Sequence, residues 1–441
     1  MIIQTNQLRV FVGVMVASLL TSVAQSHRVT TAAIDLPTAL RLAGAQNLDV
    51  QIAQAKLAEA RANRQSAVAQ FFPWLAPGLA YRQHDDTIQD VAGNLIDVNK
   101  HATAPGVALT AQVDLGDALY KSLAARQVAH AAAFGVEAQR QDAVLAAAQN
   151  YFELVLAQGT VGVARDSARI SAEYDEQINR AVETGLAFKG DGLRVRVQLE
   201  RSQIALRQAV EQQRTAAARL AQVLRLDPEV ELIAQDSELA PLTLIATNAA
   251  LHSLVAQALA ARPELKQGAS LVAAAQDAKH GTTYGPLIPT LGAQAFFGAL
   301  DGGRDGIADR SGEQQDYFVG ASWRLGPGGL FDFTRINSAS ARLKLASLGV
   351  DKLRDDTTRQ VVEAFTRWQS LADQVEIAKR MLAAAEAGLR LAQHRKEFAV
   401  GVVLETVQAE QDLTRARRDY LKTVAEFNQS QYALCKAVGR R

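Results

Sequence analysis

The placement of proline constrains this chain more than any other feature. Its ten prolines include Pro105 and Pro228 with none between them, and none follows Pro327. Proline in a helix interior costs ~3 kcal/mol, so the tracts 106–227 and 328–441 are both free to be continuously helical. Both are rich in Ala, Leu, Gln, Arg and Glu, the strong helix formers. Val361, Phe365, Trp368, Ala372, Val375, Ala378, Leu382, Ala385, Leu389 and Ala392 recur at steps of three and four, the seam of a coiled coil. Tyr420, Val424, Phe427, Gln431 and Leu434 make a second seam. The first tract reads as one helix from Ala118 to Thr184, which at ~1.5 Å per residue would reach about 100 Å. Gly185 interrupts it, the turn covers Thr184–Gly190, and a return helix runs from Asp191 to about Leu226. The second tract repeats the plan: Thr334 to Val400, an interruption at Gly401, and Leu404–Val438. The second turn reads two residues shorter than the first.

Between the helical tracts lie four segments of period-two alternation, each about ten residues, the length of a tilted membrane strand. Val107, Leu109, Ala111, Val113 and Leu115 share one face, with Ala108, Thr110, Gln112 and Asp114 on the other. Leu291, Ala293, Ala295 and Phe297 oppose Thr290, Gly292, Gln294 and Gly298. Tyr317, Val319, Ala321, Trp323 and Leu325 oppose Asp316, Gly320, Ser322 and Arg324. A weaker segment alternates Leu75, Leu79 and Tyr81 with Ala76, Gly78, Ala80 and Arg82. The aromatics Trp74, Tyr81, Tyr317 and Trp323 sit towards segment ends, as in an interfacial girdle. Leu109, Val113, Phe297, Tyr317 and Trp323 are the expected lipid-facing positions. Four strands cannot close a barrel, and open edges are not tolerated in lipid, so a membrane location requires several chains to pool strands. The connections His84–Ala104 and Asp301–Gln315 read as polar, flexible hairpin loops. The second fails the calcium-loop pattern, because Gly303 and Gly312 occupy ligand positions.

Lys and Arg number 47 against 46 Asp and Glu, a net charge of +1. That balance argues against a protein held to nucleic acid by bulk charge. The single cysteine, Cys435, excludes a disulfide framework or a Cys-based metal cluster. The seven histidines are scattered, and no phosphate-binding loop or nucleophile elbow is present. The expectation is therefore neither enzyme, nor cofactor, nor metal site. Residues 1–26 have the build of a secretory signal: Arg9, the apolar run Val10–Leu20, then small residues offering cleavage between Ala24 and Ser26.

The chain also repeats internally, with a period of roughly 210 residues, too long for a solenoid unit. Asn47-Leu48-Asp49-Val50, a helix, then Phe72-Pro73 and a strand parallels Arg262-Pro263-Glu264-Leu265, a helix, then Ile288-Pro289 and a strand. The expected organisation is a first repeat at 35–226, a linker or equatorial segment at 227–250, and a second repeat at 251–441.

In this order of elements, from Asp35 to Gly439, the sequence resembles the TolC-like outer membrane efflux proteins of Gram-negative bacteria. The resemblance rests on the Arg262-Pro263-Glu264-Leu265 signature and its counterpart at Asn47, and on the helix-to-strand prolines Pro73 and Pro289. It rests also on two tip turns: Thr184-Gly185-Leu186-Ala187 with Asp191 and Leu193 after it, and Ala399-Val400-Gly401-Val402 followed by Leu404-Glu405-Thr406-Val407. It implies a mainly α fold with a β-barrel portion. Long antiparallel coiled-coil helices would form a trimeric α-barrel in the periplasm, and four strands per chain would build a twelve-stranded barrel set in outer membrane lipid. It also implies passive conduction as the outer membrane channel of a tripartite efflux or type I secretion system, with a periplasmic adaptor (membrane fusion) protein and an inner-membrane transporter of the RND or ABC type. The resemblance puts adaptor docking at Gly185, Leu186, Ala187, Gly401, Val402 and Val403, and the periplasmic gate at Asp191, Glu405 and Gln408, with Glu405 repeated as a ring of three charges. The alternative reading is a soluble periplasmic coiled-coil adaptor or scaffold.

Overall fold

The computed structural model describes residues 31–72, 74–227, 230–236, 239–246, 250–304, 307–397 and 403–440. The expected signal segment 1–26 and Pro73 lie outside the described residues. In chain order the elements are β1 (Thr31–Ile34), α1 (Leu36–Gln46), α2 (Leu48–Ala69), β2 (Trp74–His84), β3 (Thr87–Gln89), β4 (Leu95–Asp97), β5 (Lys100–Asp114), α3 (Leu115–Glu183) and α4 (Lys189–Leu224). They continue with β6 (Glu231–Ala234), α5 (Leu251–Ala261), α6 (Pro263–Tyr284), β7 (Thr290–Arg304), β8 (Ile307–Ser322), α7 (Phe333–Glu397) and α8 (Val403–Val438). The second half repeats the helix–helix–strand–strand–long helix–return helix order of the first.

The two proline-free tracts are the four longest helices. α3 has 69 residues, about 100 Å at ~1.5 Å per residue. Asp114 caps its start by accepting from the Asp117 amide at 3.0 Å. The seam along α7 buries Val361, Phe365, Trp368, Leu371, Val375, Ala378, Leu389 and Ala392. Leu371 is the buried residue where the spacing had indicated Ala372, because a helix of 3.6 residues per turn drifts against a 3.5-residue repeat. The connection from α3 to α4 spans 184–188; the second tip, 398–402, where the turn was expected to be two residues shorter, lies outside the described residues.

The helices form two layers that share α3 and α7. In one, α2 packs on α3, α3 on α6 and α6 on α7; in the other, α4 packs on α3, α3 on α8 and α8 on α7. Between the layers, α1 packs against α3 and α4, and α5 against α7 and α8. Two apolar cores form at this waist. One gathers Ile34, Tyr151, Leu154, Leu220, Leu224 and Leu232; the other gathers Leu254, Val361, Phe365, Trp368 and Leu434. The segment 227–250 is tied into the waist. β6 pairs in parallel with β1, and Tyr151 Oη donates to Asp236 at 2.7 Å. Two buried amides of α8 then hold residues 240–244. Asn428 accepts from the Leu242 amide at 2.8 Å and donates to the Ala240 carbonyl at 2.9 Å. Gln431 accepts from the Leu244 amide at 2.7 Å and donates to the Leu242 carbonyl at 2.8 Å.

The four long strands make one antiparallel sheet in the order β2-β5-β7-β8. They have 11, 15, 15 and 16 residues, longer than the apolar alternation indicated. The segments expected as flexible loops are largely strand: β5 begins at Lys100, β7 runs to Arg304 and β8 starts at Ile307. Ladder hydrogen bonding satisfies the backbone whatever the side chains are, so pairing outlasts the hydrophobic pattern. The remaining first connection is ordered by the β3–β4 hairpin. There the Asp90 carboxylate accepts from the amides of Ala92 at 2.9 Å and Asn94 at 2.8 Å.

Candidate functional site

The sheet's register assigns each side chain to a face. Directly paired residues share a face, so Val113, Ala111, Leu109 and Val107 of β5 lie with Leu291, Ala293, Ala295 and Phe297 of β7. Ala321, Val319 and Tyr317 of β8 join them, as do Pro77, Leu79 and Tyr81 of β2. The expected lipid-facing residues Leu109, Val113, Phe297 and Tyr317 are thus on one face. The rings of Phe297 and Tyr317 meet edge-on with centroids 5.6 Å apart. From Pro105, opposite Leu79, to Val113 this apolar band runs for about 26 Å along β5, at ~3.3 Å per residue. At its outer end Tyr81 donates to Gln83 at 2.8 Å and Tyr317 to Gln315 at 3.2 Å, the amphipathic placement of an interfacial aromatic belt. Trp323 departs from the expectation. It lies just past the end of β8, and its indole N–H donates to the Leu287 carbonyl at 3.3 Å. It therefore marks the strand-to-helix junction.

The opposite face is lined by small and polar residues: Gly78, Ala80, Gly106, Ala104, Gly298 and Gln294 among them. Two phenylalanines interrupt it, and each lies over glycine. A Cβ at Gly106 would meet the Phe296 ring at 2.5 Å, and one at Gly320 would meet the Phe318 ring at 2.9 Å. Where the sheet joins the helices, Gly116 crosses the Gly285 carbonyl so closely that no side chain fits between them.

The first tip is a well-formed helix end. Gly185 has φ +74°, the left-handed conformation glycine adopts without steric penalty. The Leu186 amide donates to the Ala181 carbonyl at 2.7 Å and the Gly185 amide to the Val182 carbonyl at 3.1 Å, the paired bonds of a Schellman cap. This cap turns Leu186 and Phe188 outward, 85% and 83% exposed, while Ala187 is half-buried. Phe188 was not singled out in the sequence, although an aromatic residue in a glycine-flanked turn is a visible signal. At the second tip, Gly401 and Val402 lie outside the described residues, and Val403 begins α8.

Of the expected gate residues, Asp191 and Glu405 sit in the first turns of the return helices and Gln408 in the second turn of α8. Asp191 is 3.4 Å from Arg194. Glu405 is not a free carboxylate: Arg395 of α7 pairs with it at 2.9 Å. Gln408 donates to Asp412 at 3.2 Å. Between these turns and the waist lies a polar cluster that no motif indicated. Asp175, buried on α3, accepts from Arg196 at 3.2 Å and Asn179 at 3.1 Å. Glu410, buried on α8, accepts from the Ser171 hydroxyl at 3.3 Å. Burial pushes the Glu410 carboxyl up to about 7. Extending the α8 seam backwards from Tyr420 in steps of three and four reaches Leu413, Glu410 and Thr406, so the spacing already contained this position.

The signature residues are explained by their contacts. Asn47 caps α2 by accepting from the Asp49 amide at 2.9 Å and donates to the Val223 carbonyl of α4 at 3.2 Å. Its counterpart Arg262 is buried and donates to Gln360 of α7 at 2.7 Å. Each joins the start of its layer-one helix to a long helix.

Residues 39–224 and 254–440 match the family described as outer membrane efflux protein. The chain belongs to the outer membrane efflux protein family. The two matched blocks are the two halves of the internal repeat. Among curated proteins, the chain is similar to protein CyaE of Bordetella pertussis, 26% identical over 303 residues, covering 68% of this chain and 62% of that relative's length. Its fold is that of a membrane protein from Pseudomonas aeruginosa, with TM-score 0.78, 17% identity, and 92% and 93% of the two chains covered. It is also that of the open-state MtrE outer membrane channel of Neisseria gonorrhoeae, with TM-score 0.72, 16% identity, and 92% and 89% covered.

Proposed function

We propose that three copies of this chain close into an outer membrane channel that conducts solutes passively from a periplasmic tip to the exterior. The observation carrying this reading is the coincidence of open edges. The free strands of the sheet are β2 and β8, and the outer helices of the two layers are α2 and α4 on one flank and α7 on the other. One flank therefore carries β2, α2 and α4; the opposite flank carries β8 and α7. Exposed apolar residues mark both: Ile52, Leu193 and Ile204 on the first, Leu345, Ile377 and Leu391 on the second. Joining unlike flanks head to tail generates a ring. Ring closure removes the sheet edges, the condition for strands in lipid, and the family resemblance sets the number of copies at three, hence twelve strands. The apolar face then meets lipid and the glycine- and alanine-rich face lines the lumen. The ~100 Å helices carry the lumen into the periplasm.

The tip residues Gly185, Leu186 and Ala187, with Gly401, Val402 and Val403, are the proposed docking site for a periplasmic adaptor, which would couple the channel to an RND or ABC transporter. Exposed Leu186 and Phe188 on a rigid cap give that surface its apolar anchor. Asp191, Glu405 and Gln408 are the proposed gate, with Glu405 acting as an ion pair with Arg395. Membrane fractionation followed by crosslinking of the detergent-extracted protein tests the assembly. A heat-sensitive trimer in the outer membrane fraction is expected. A soluble periplasmic monomer or dimer would overturn the channel in favour of a coiled-coil scaffold.

A further inference from the structure

The outer end of the sheet separates its charges by face. Arg82 of β2 shares a row with Ala102, Gly302 and Arg310, and His84 shares the next with Lys100 and Arg304. Both rows belong to the face that carries Gly106, Gly298 and Gln294. Arg82, Lys100, Arg304 and Arg310 are exposed there, and none has an ion-pair partner among the described residues. Among the described residues of the four long strands at this end, the acids lie on the other face: Asp309 with His101 at 3.2 Å, Asp301 paired in register with Thr103, and Glu313 paired with Ala299. Asp86, Asp90 and Asp97 belong to the β3–β4 hairpin and its ends, where Asp97 accepts from Thr87 and Asp90 from the turn amides. The nearest acid of a strand on the basic face is Asp316, six residues deeper along β8, about 20 Å at ~3.3 Å per residue.

Register alone sets this separation. In a period-two strand, moving one charge by one residue would transfer it to the other face, yet four bases from four strands fall on one side and the described strand acids of this end, Asp301, Asp309 and Glu313, on the other. We propose that this basic face forms a ring at the outer mouth of the channel that binds multiply charged anions, the class of solutes bearing several phosphate or sulfonate groups. The proposal rests on the channel reading, in which three copies bring twelve cations, four from each and none with an ion-pair partner among the described residues, around one opening. Arg310 of one copy would then lie beside Arg82 of the next across the β8–β2 junction. Rings of Arg and Lys favour anions in a pore, and low-dielectric walls focus the field of the ring into the lumen. The glycine and alanine rows just beneath leave room for an anion to sit against it.

The test is planar-bilayer recording of the full-length trimer inserted in one orientation, with inorganic tripolyphosphate added to either side. Block of the current from the barrel side is expected, and the half-blocking concentration should rise about tenfold or more in the triple variant Arg82→Gln, Arg304→Gln, Arg310→Gln. The block should also weaken between about 0.1 M and about 1 M KCl, as the Debye length falls from ~10 Å to ~3 Å. If the triple variant fails to assemble, Lys100→Gln should give a smaller shift in the same direction, while Glu313→Gln on the outer face should give none. Block from the barrel side alone identifies anions captured from the medium. Block from both sides with equal sensitivity to the variant identifies a transit site for exported anions. Conducting trimers that tripolyphosphate does not block, or block that the variants leave unchanged, would overturn the ring while leaving the channel intact. A protein that forms no trimers and no channels would overturn the channel reading and the ring with it.

Discussion

Glu410 offers the most direct check on how the tip helices are held. Its carboxyl lies between α8 and α3 at 5% exposure, with the Ser171 hydroxyl at 3.3 Å as its hydrogen-bond donor. Burial raises its pKa, and the Ser171 hydrogen bond opposes that rise. Its proton, lost near 4.5 in an exposed chain, is held to about 7 in the fold. Between those values the folded chain binds more protons than the unfolded one, so stability falls as pH rises through the window and the full loss is present above about 7. At 1.36 kcal/mol per pKa unit, ionising Glu410 in place costs at most about 3 kcal/mol per chain. Glu410→Gln keeps the shape and removes the charge. The variant should therefore be more stable than the parent by about 1–3 kcal/mol near pH 8, with the gain vanishing near pH 4. Hydrogen exchange in α8 and in α3 around Ser171, corrected for intrinsic rates, reads this locally, without requiring two-state unfolding of the whole assembly. Slower exchange near pH 8 in the variant, converging with the parent at low pH, is the expected result. Equal pH dependence in the two proteins, or faster exchange in the variant at pH 8, would refute the burial argument.

Three other substitutions address separate joints. Gly185→Val forces a β-branched residue into the left-handed conformation at the tip cap, with a local cost of about 1–2 kcal/mol; hydrogen exchange of the Ala181–Ala187 turn should rise while the waist is unaffected. Gln431→Leu removes the two bonds that its side chain makes, to the Leu242 carbonyl and from the Leu244 amide, and leaves those groups unpaired, a cost of about 2–4 kcal/mol; limited proteolysis should then cut within 239–246 faster than in the parent. Gly116→Ala places a methyl against the Gly285 carbonyl where the strands enter the helices, costing about 1–3 kcal/mol or more; the thermal midpoint of the extracted protein should fall.

The helices were legible because their signal is local. Proline exclusion and the three–four spacing placed α3 at Ala118–Thr184, against Leu115–Glu183 observed, and the start of α7 at Thr334, against Phe333; its expected end at Val400 lies outside the described residues. The alternation that selects the apolar face was equally local, and it assigned Leu109, Val113, Phe297 and Tyr317 to one side. The strand ends were not legible, since they depend on partners: Asp301–Arg304 is rich in glycine and reads as loop, yet pairs with β5 across about 200 residues of sequence. For the same reason the ion pair from Arg395 to Glu405 and the separation of charges by face appear only once register is known. Gln431 occupied a seam position with a polar side chain, a local inconsistency whose cause, the bonded backbone of the waist, lies far away in the chain.

The internal duplication gives the proposed assembly its geometry. Inside one chain, the second strand of the first repeat, β5, pairs with the first strand of the second, β7. The same junction brings α3 against α6 in one layer and against α8 in the other. The junction between copies would match it element for element. β8, the second strand of its repeat, would meet β2, the first strand of the next; α7 would meet α2 in one layer and α4 in the other. A three-membered ring of duplicated chains would thus present six nearly equivalent joints, three between chains and three within them, and the single chain shows the within-chain kind. Gly116 against Gly285 marks the built joint at the strand-to-helix crossing, and Trp323, resting on the Leu287 carbonyl, stands at the end of the strand that would form the other kind. The joint within each chain is therefore the template for the joint between chains, and the surfaces that remain open in the single chain are the ones that this template would cover.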